Sequence, residues 1–116
     1  MEIKGILKNK NKSDITVSDK VRKKIEDRGL SIDDVLNKIF DLDNLIIEAK
    51  QNGSYELIYN YSGRYSLVVV LFVNSNIRLA TAWKSSKAVD KLLKKATYVY
   101  DYRKKISLNN SNIVKE

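Results

Sequence analysis

The sequence contains no cysteine and no histidine. Without cysteine there is no disulfide and no thiolate nucleophile, and without histidine there is no imidazole base and no conventional zinc site. Its four glycines, at positions 5, 29, 53 and 63, are isolated, which argues against a phosphate-cradling loop. Ser85-Ser86 has neither a Gly-rich elbow nor a histidine partner, so a serine hydrolase is not expected. These absences exclude several enzyme classes and predict no cofactor.

Long apolar runs are also missing. No stretch approaches the roughly 20 apolar residues of a membrane span, and the N-terminus lacks the apolar segment of a secretory signal. We therefore expect a cytoplasmic protein with no membrane partner. No pair of acids stands out as a metal site, because Asp33-Asp34 and Asp41-x-Asp43 lie at predicted helix ends, where carboxylates commonly cap the helix or face solvent.

Positive charge is abundant and unevenly distributed. The net charge is +8 over 116 residues; residues 1–13 carry about +3, residues 14–83 about −1 and residues 84–105 about +6. A basic terminal segment beside a balanced scaffold indicates a polyanionic partner, with RNA or DNA ahead of a membrane surface. The alternative is that the lysines only keep the protein soluble.

Two helices are predicted in the first third of the chain. Ser18 is placed to cap a helix that ends at Gly29, and Ser31 is placed to cap a second helix whose apolar stripe continues to Phe40. The residues before them, 1–13, predict at most a short edge strand or a loose arm.

Four strands are predicted next, centred on residues 65–73. Within that range, every residue from Leu67 to Val73 is apolar, so the side chains on both faces are apolar and we expect a strand covered on both faces. Turn residues around Gly53, Gly63 and Asn74 separate it from its neighbours and predict an antiparallel meander. Strict alternation along 77–84 predicts that Arg78 and Lys84 point to the same face.

The C-terminal third predicts a helix after Ser85 or Ser86. Tyr98, Tyr100 and Tyr102 alternate as in a strand, but nothing breaks a helix before them, and we favour helix continuing there. The predicted fold is therefore α+β: two N-terminal helices packed on a four-stranded antiparallel meander sheet, with a C-terminal helix. One domain is expected over residues 1–106, followed by a flexible tail at 107–116.

Cations and tyrosines are the candidate functional groups. Arg and Lys can stabilise charge on a phosphorane, Lys or Tyr can move a proton, and Tyr or Trp can stack on an unpaired base, as metal-free RNA cleavage by the 2′-hydroxyl requires. A structural explanation fits the same residues about equally well: the cations could be exposed at strand ends, and the tyrosines could cover the core with their rings while their hydroxyls face water. The candidate catalytic residues are Arg64, Arg78, Lys84 and Tyr98, and the candidate RNA-binding residues are Arg28, Trp83, Lys87, Lys91, Tyr102 and Arg103.

Three segments resemble small toxins of the RelE/ParE superfamily, especially BrnT-like members: VRKKIEDRGLSIDDVL, GRYSLVVVLFV and IRLATAWKSS, at residues 21–36, 63–73 and 77–86. Asp27 stands where the family has Glu before Arg28, and the family's preceding His is absent. The resemblance implies a RelE-like domain, endoribonuclease activity on free or ribosome-bound RNA, and an acidic antitoxin partner. It also implies roles for Arg28, Arg64, Arg78 and Lys84, with Thr81 and Trp83 supporting the strand.

The leading hypothesis is thus a metal-independent endoribonuclease toxin of a toxin–antitoxin system. The first alternative is a non-catalytic nucleic-acid-binding protein, for example from a mobile element or virus, in which the cations only neutralise phosphates. The second is a protein-interaction module that recruits a partner strand at a sheet edge.

Overall fold

The computed structural model of the protein describes residues 3–51, 53–86, 98–103 and 106–109. Within them the fold is α+β, with three helices against one mixed sheet. The helices are α1 (Ile3–Leu7), α2 (Asp19–Asp27) and α3 (Ile32–Ile39), and 3-10 turns occupy Lys12–Asp14 and Leu42–Asn44. The strands are β1 (Ile15–Thr16), β2 (Leu45–Gln51), β3 (Ser54–Ser62), β4 (Tyr65–Val73), β5 (Ile77–Ser85), β6 (Tyr98–Asp101) and β7 (Ile106–Asn109).

The prediction of a four-stranded antiparallel meander was wrong. In the described residues the sheet has seven strands in the order β1-β5-β4-β3-β2-β6-β7, and it is mixed because β1 runs parallel to β5. The meander from β2 to β5 forms only its centre. Ile15 and Thr16 extend one side by pairing with Ile77 and Arg78, and β6 extends the other side by pairing with β2.

The residues at 98–101 form a strand, so our preference for helix there was also wrong. Tyr98 pairs with Lys50 and Asp101 with Ile47, which satisfies the outer backbone groups of β2. The two-residue alternation of this segment was therefore the correct signal. The predicted helix after Ser86 falls on residues 87–97, outside the described residues. In the predicted tail, 107–109 belong to β7, whereas 110–116 lie outside the described part.

The chain before β1 forms a helix instead of a strand or a loose arm. Ile3 and Leu7 lie four residues apart, on one face of α1, and both are buried in the core. The carboxylate of Glu48, itself only 1% exposed, accepts a hydrogen bond from the backbone N–H of Ile3 at 2.9 Å. A central strand thus holds the first turn of α1.

Helices α2 and α3 begin at the predicted caps. The hydroxyl of Ser18 accepts from the N–H of Val21, and that of Ser31 accepts from the N–H of Asp34. Gly29 follows α2 with φ +80°, a conformation that side chains with a Cβ rarely adopt. These local signals were sufficient because caps and the C-terminal glycine act within one turn of the chain.

Two apolar clusters lie on opposite faces of the sheet. The larger packs the helices against Leu67, Val69 and Leu71 of β4. The smaller contains Val68 of the same strand, and its buried members are Ile46, Ile47, Ala49, Ile58, Val68 and Val99. The prediction of a central strand covered on both faces is confirmed.

Candidate nucleic-acid interface

A β-bulge in β5 separates two cations that strict alternation places together. Val70 pairs with Thr81 but the next residue, Leu71, pairs with Leu79, so Ala80 is an extra residue in β5. Before the bulge Leu79 packs in the larger cluster and Arg78 points away from it. After the bulge Ala82 packs in the larger cluster, and Lys84 pairs with Leu67 of that same cluster. Arg78 and Lys84 therefore lie on opposite faces of the sheet.

Distance along the strand separates these cations further. Their partners on β4, Phe72 and Leu67, are five residues apart. At a rise of about 3.3 Å per residue, Arg78 and Lys84 are therefore roughly 17 Å apart along the sheet. Arg78 lies at the β4–β5 hairpin, with its guanidinium carbon 5.0 Å from the centre of the exposed Phe72 ring. Arg78 and Lys84 therefore lie near opposite ends of β5.

Arg64, Tyr65 and Lys84 form what we call the Tyr65 cluster. The Lys84 Nζ lies 4.6 Å from the centre of the Tyr65 ring, and the Arg64 guanidinium carbon lies 5.9 Å from it. Both cations are exposed, whereas Tyr65 is half-buried. Among the described residues neither cation forms an ion pair with a carboxylate. The cluster therefore places two exposed positive charges within 5.9 Å of the centre of one ring.

Local backbone geometry builds this cluster. The turn between β3 and β4 contains Gly63 at φ +55°, and a bulge at Tyr61 lets Ser62 pair with Tyr65. That turn places the Arg64 guanidinium over the ring of the next residue, Tyr65. Lys84 arrives from the adjacent strand, because it pairs with Leu67, two residues after Tyr65 on the same side of β4.

Arg28, one of the predicted RNA-binding residues, forms hydrogen bonds to β5. It follows the last residue of α2, and its Nη1 donates to the Thr81 hydroxyl at 2.7 Å and to the Ala82 carbonyl at 3.0 Å. Strand β1 covers β5 only at Ile77 and Arg78. Arg28 thus ties α2 to the part of β5 that β1 does not reach.

The C-terminal candidates are also engaged with the scaffold. The Tyr102 hydroxyl donates to Glu48 at 2.6 Å, and the Lys4 Nζ lies 4.6 Å from the centre of the Tyr102 ring. Arg103 makes a two-point contact with Asp101, donating from Nε at 3.0 Å and from Nη2 at 2.8 Å. These contacts fix the chain after β6 to the sheet.

Trp83 is the one remaining candidate whose side chain the structure describes. Trp83 is half-buried against the smaller cluster. Tyr98 begins β6, but its side chain lies outside the described part of the structure, as do Lys87 and Lys91 entirely.

Tyr65 and Tyr61 were not among the predicted site residues. Tyr61 is 37% exposed at the end of β3, next to the turn that carries Arg64. The signal in the sequence was their position, since the two tyrosines flank a Ser-Gly-Arg turn with a cation beside an aromatic residue.

Tyr59 and Glu56, both on β3 and outside the Tyr65 cluster, have raised pKa values. Burial raises the pKa of Tyr59 far above its ordinary range, and the carboxylates of Asp41 and Glu48 add to that effect. Its hydroxyl donates to the Ile39 carbonyl, so Tyr59 is a buried donor and cannot serve as a base. Partial burial also raises the pKa of Glu56 on β3.

Potential metal ligands do not converge in the parts of the chain that the structure describes. Asp33 pairs with Lys12 at 3.3 Å, and Asp41 lies 3.6 Å from the ammonium of Lys38. The described helices are all too short or too polar to cross a membrane. In comparisons with known proteins, no family, no curated protein and no solved structure matches this chain.

Proposed function

We propose that this protein binds single-stranded RNA through the Tyr65 cluster. The observation that carries the proposal is that the Arg64 guanidinium and the Lys84 ammonium lie over one aromatic ring. Both cations are exposed, and among the described residues neither has a carboxylate partner. The two charges are no farther apart than the sum of their distances to that ring. Phosphate groups of one strand can neutralise both.

The charge and the neighbouring aromatic residue favour an unpaired nucleic acid. The net charge of +8 attracts a polyanion. The exposed Tyr61 offers a surface on which a base can stack, which requires a base that is not already stacked within a duplex. In this proposal the protein works on RNA in the cytoplasm.

A binding assay with matched charge losses tests the proposal. We would measure the affinity for a labelled single-stranded RNA by fluorescence anisotropy, across a series of salt concentrations, for Arg64→Ala, Lys84→Ala and Lys23→Ala. Lys23 is the control, because it is an exposed cation on α2 and its loss changes the net charge equally. Each cluster variant should bind more weakly and lower the salt slope by roughly one, as the loss of one phosphate contact predicts.

Equal losses in all three variants would show that RNA responds only to net charge, and the proposed site would be wrong. Arg78→Ala adds a separate comparison. If it weakens binding as much as Lys84→Ala does, the bound strand reaches both ends of β5.

The second candidate is the metal-independent endoribonuclease of a toxin–antitoxin system. The observation that favours it is that a phenol, a guanidinium and an ammonium lie together at the cluster. In such a reaction the 2′-oxygen attacks phosphorus while a base removes its proton. The bond to the 5′-oxygen then breaks with proton transfer to that oxygen, and the cations stabilise the charge on the phosphorane.

Cleavage in EDTA separates this candidate from simple binding. An endoribonuclease of this type would produce a 2′,3′-cyclic phosphate, lose activity with Lys84→Ala, and leave an RNA intact when a 2′-deoxy sugar stands at the cut. Salt-sensitive binding without strand breaks would eliminate it. The resemblance to RelE/ParE toxins adds an acidic antitoxin as a proposed partner, which co-expression of an adjacent acidic reading frame would test.

A further inference from the structure

Tyr65 differs from the other aromatic residues of the described surface because two cations share its ring. The rings of Phe72, Tyr55 and Tyr102 each lie under one cation in the described residues, whereas Arg64 and Lys84 both lie over Tyr65. Like charges repel each other, and an aromatic ring attracts each cation through its quadrupole. The ring therefore opposes the separation of the two charges.

We propose that Tyr65 is the positioning residue of the RNA site and holds Arg64 and Lys84 together, so that neighbouring phosphates of one strand contact both. This inference rests on the proposed function. Tyr65 itself is half-buried and is anchored in β4 by its pairing with Ser62. Its ring meets the cations and not the RNA, and stacking of a base falls to the exposed Tyr61.

The ring, and not the hydroxyl, is the part that acts. Among the described residues the Tyr65 hydroxyl has no hydrogen-bond partner, whereas both cation contacts are measured to the ring centre. Tyr65→Phe keeps an aromatic face, and Tyr65→Leu keeps only apolar bulk. The two variants therefore separate the quadrupole from burial.

A double-mutant cycle between Tyr65 and Lys84 tests the inference. Affinity for a 2′-O-methyl RNA, which its own 2′-oxygen cannot cleave, would be measured for the wild type, Tyr65→Leu, Lys84→Ala and the double variant, with far-UV circular dichroism to verify folding. Tyr65→Leu should weaken binding roughly three- to tenfold, from the loss of two exposed cation–π contacts. Tyr65→Phe should stay within about twofold of the wild type.

The decisive readout is the effect of Lys84→Ala in the two backgrounds. It should be clearly smaller in Tyr65→Leu, because there the lysine is no longer held at the phosphate. A purely structural role of Tyr65 predicts the same effect in both backgrounds. Phe72→Leu removes the ring under the single cation Arg78 at the far hairpin and serves as the control; its affinity should remain within about twofold of the wild type.

Additive effects in the cycle would overturn the inference and leave the proposed function standing. A loss with Tyr65→Phe as large as with Tyr65→Leu would assign the effect to the hydroxyl, which also overturns it. Wild-type binding that is insensitive to Lys84→Ala would remove the proposed function and this inference together.

Discussion

Replacing Tyr59 by Phe probes the contact that joins α3 to the sheet. Tyr59 is fully buried in β3, and its hydroxyl donates at 2.8 Å to the carbonyl of Ile39, the last residue of α3. A net hydrogen bond stabilises a protein by about 0.5–1.5 kcal/mol, and leaving a buried acceptor unpaired costs about 1–3 kcal/mol. We therefore expect Tyr59→Phe to lower the free energy of unfolding by about 2 kcal/mol at neutral pH.

The same variant should change how stability depends on pH. The native state raises the pKa of Tyr59 through burial and the nearby Asp41 and Glu48, whereas the unfolded chain ionises near the ordinary tyrosine pKa of about 10. Above that pH the unfolded state releases a proton that the native state keeps, so this residue's contribution to stability is lost as pH rises. The loss is at most about 1.4 kcal/mol per pH unit, and the Phe variant does not have it.

Urea unfolding at several pH values between neutral and mildly alkaline conditions measures both effects. The difference between wild type and Tyr59→Phe should stay constant up to pH of about 9.5 and then shrink. Tyr61→Phe, on the same strand but exposed, is the control and should remain within about 0.5 kcal/mol of the wild type. Parallel curves for wild type and Tyr59→Phe through pH 10.5 would refute the reasoning.

Three further substitutions test contacts of the scaffold. Arg28→Ala should lower the free energy of unfolding by about 1 kcal/mol in urea titration, because the Thr81 and Ala82 contacts are lost. Its RNA affinity should stay within about twofold of the wild type, and a tenfold loss would place Arg28 in the binding site. Glu48→Gln should lower the free energy of unfolding by about 2 kcal/mol, because a charged acceptor for the Ile3 N–H and the Tyr102 hydroxyl becomes a neutral amide. An unchanged free energy of unfolding in guanidinium would contradict this. Gly63→Ala should lower stability by about 1 kcal/mol through its positive φ alone, since no atom lies within 4 Å of the added Cβ; an unchanged thermal midpoint would show that the turn relaxes.

Local signals explain what sequence reasoning found. The capped helices α2 and α3 and the doubly covered β4 were all readable, because caps, helical periodicity and a continuous apolar run act within a few residues. The extra strands were missed for the opposite reason. Ile15–Thr16 is too short to show a period, and the 98–101 segment becomes a strand because β2 has an unpaired side for it.

The sequence by itself determined the supply of cations and tyrosines, the exclusion of imidazole and thiolate chemistry, and the hairpins that carry Arg64 and Arg78. Only the tertiary structure decided which of these groups meet. One extra residue in β5 moves each later side chain of that strand to the opposite face of the sheet. Lys84 therefore points toward Tyr65, on the face opposite to Arg78. Such a bulge arises from the register between two strands, and a side-chain period of two reverses with every single-residue shift.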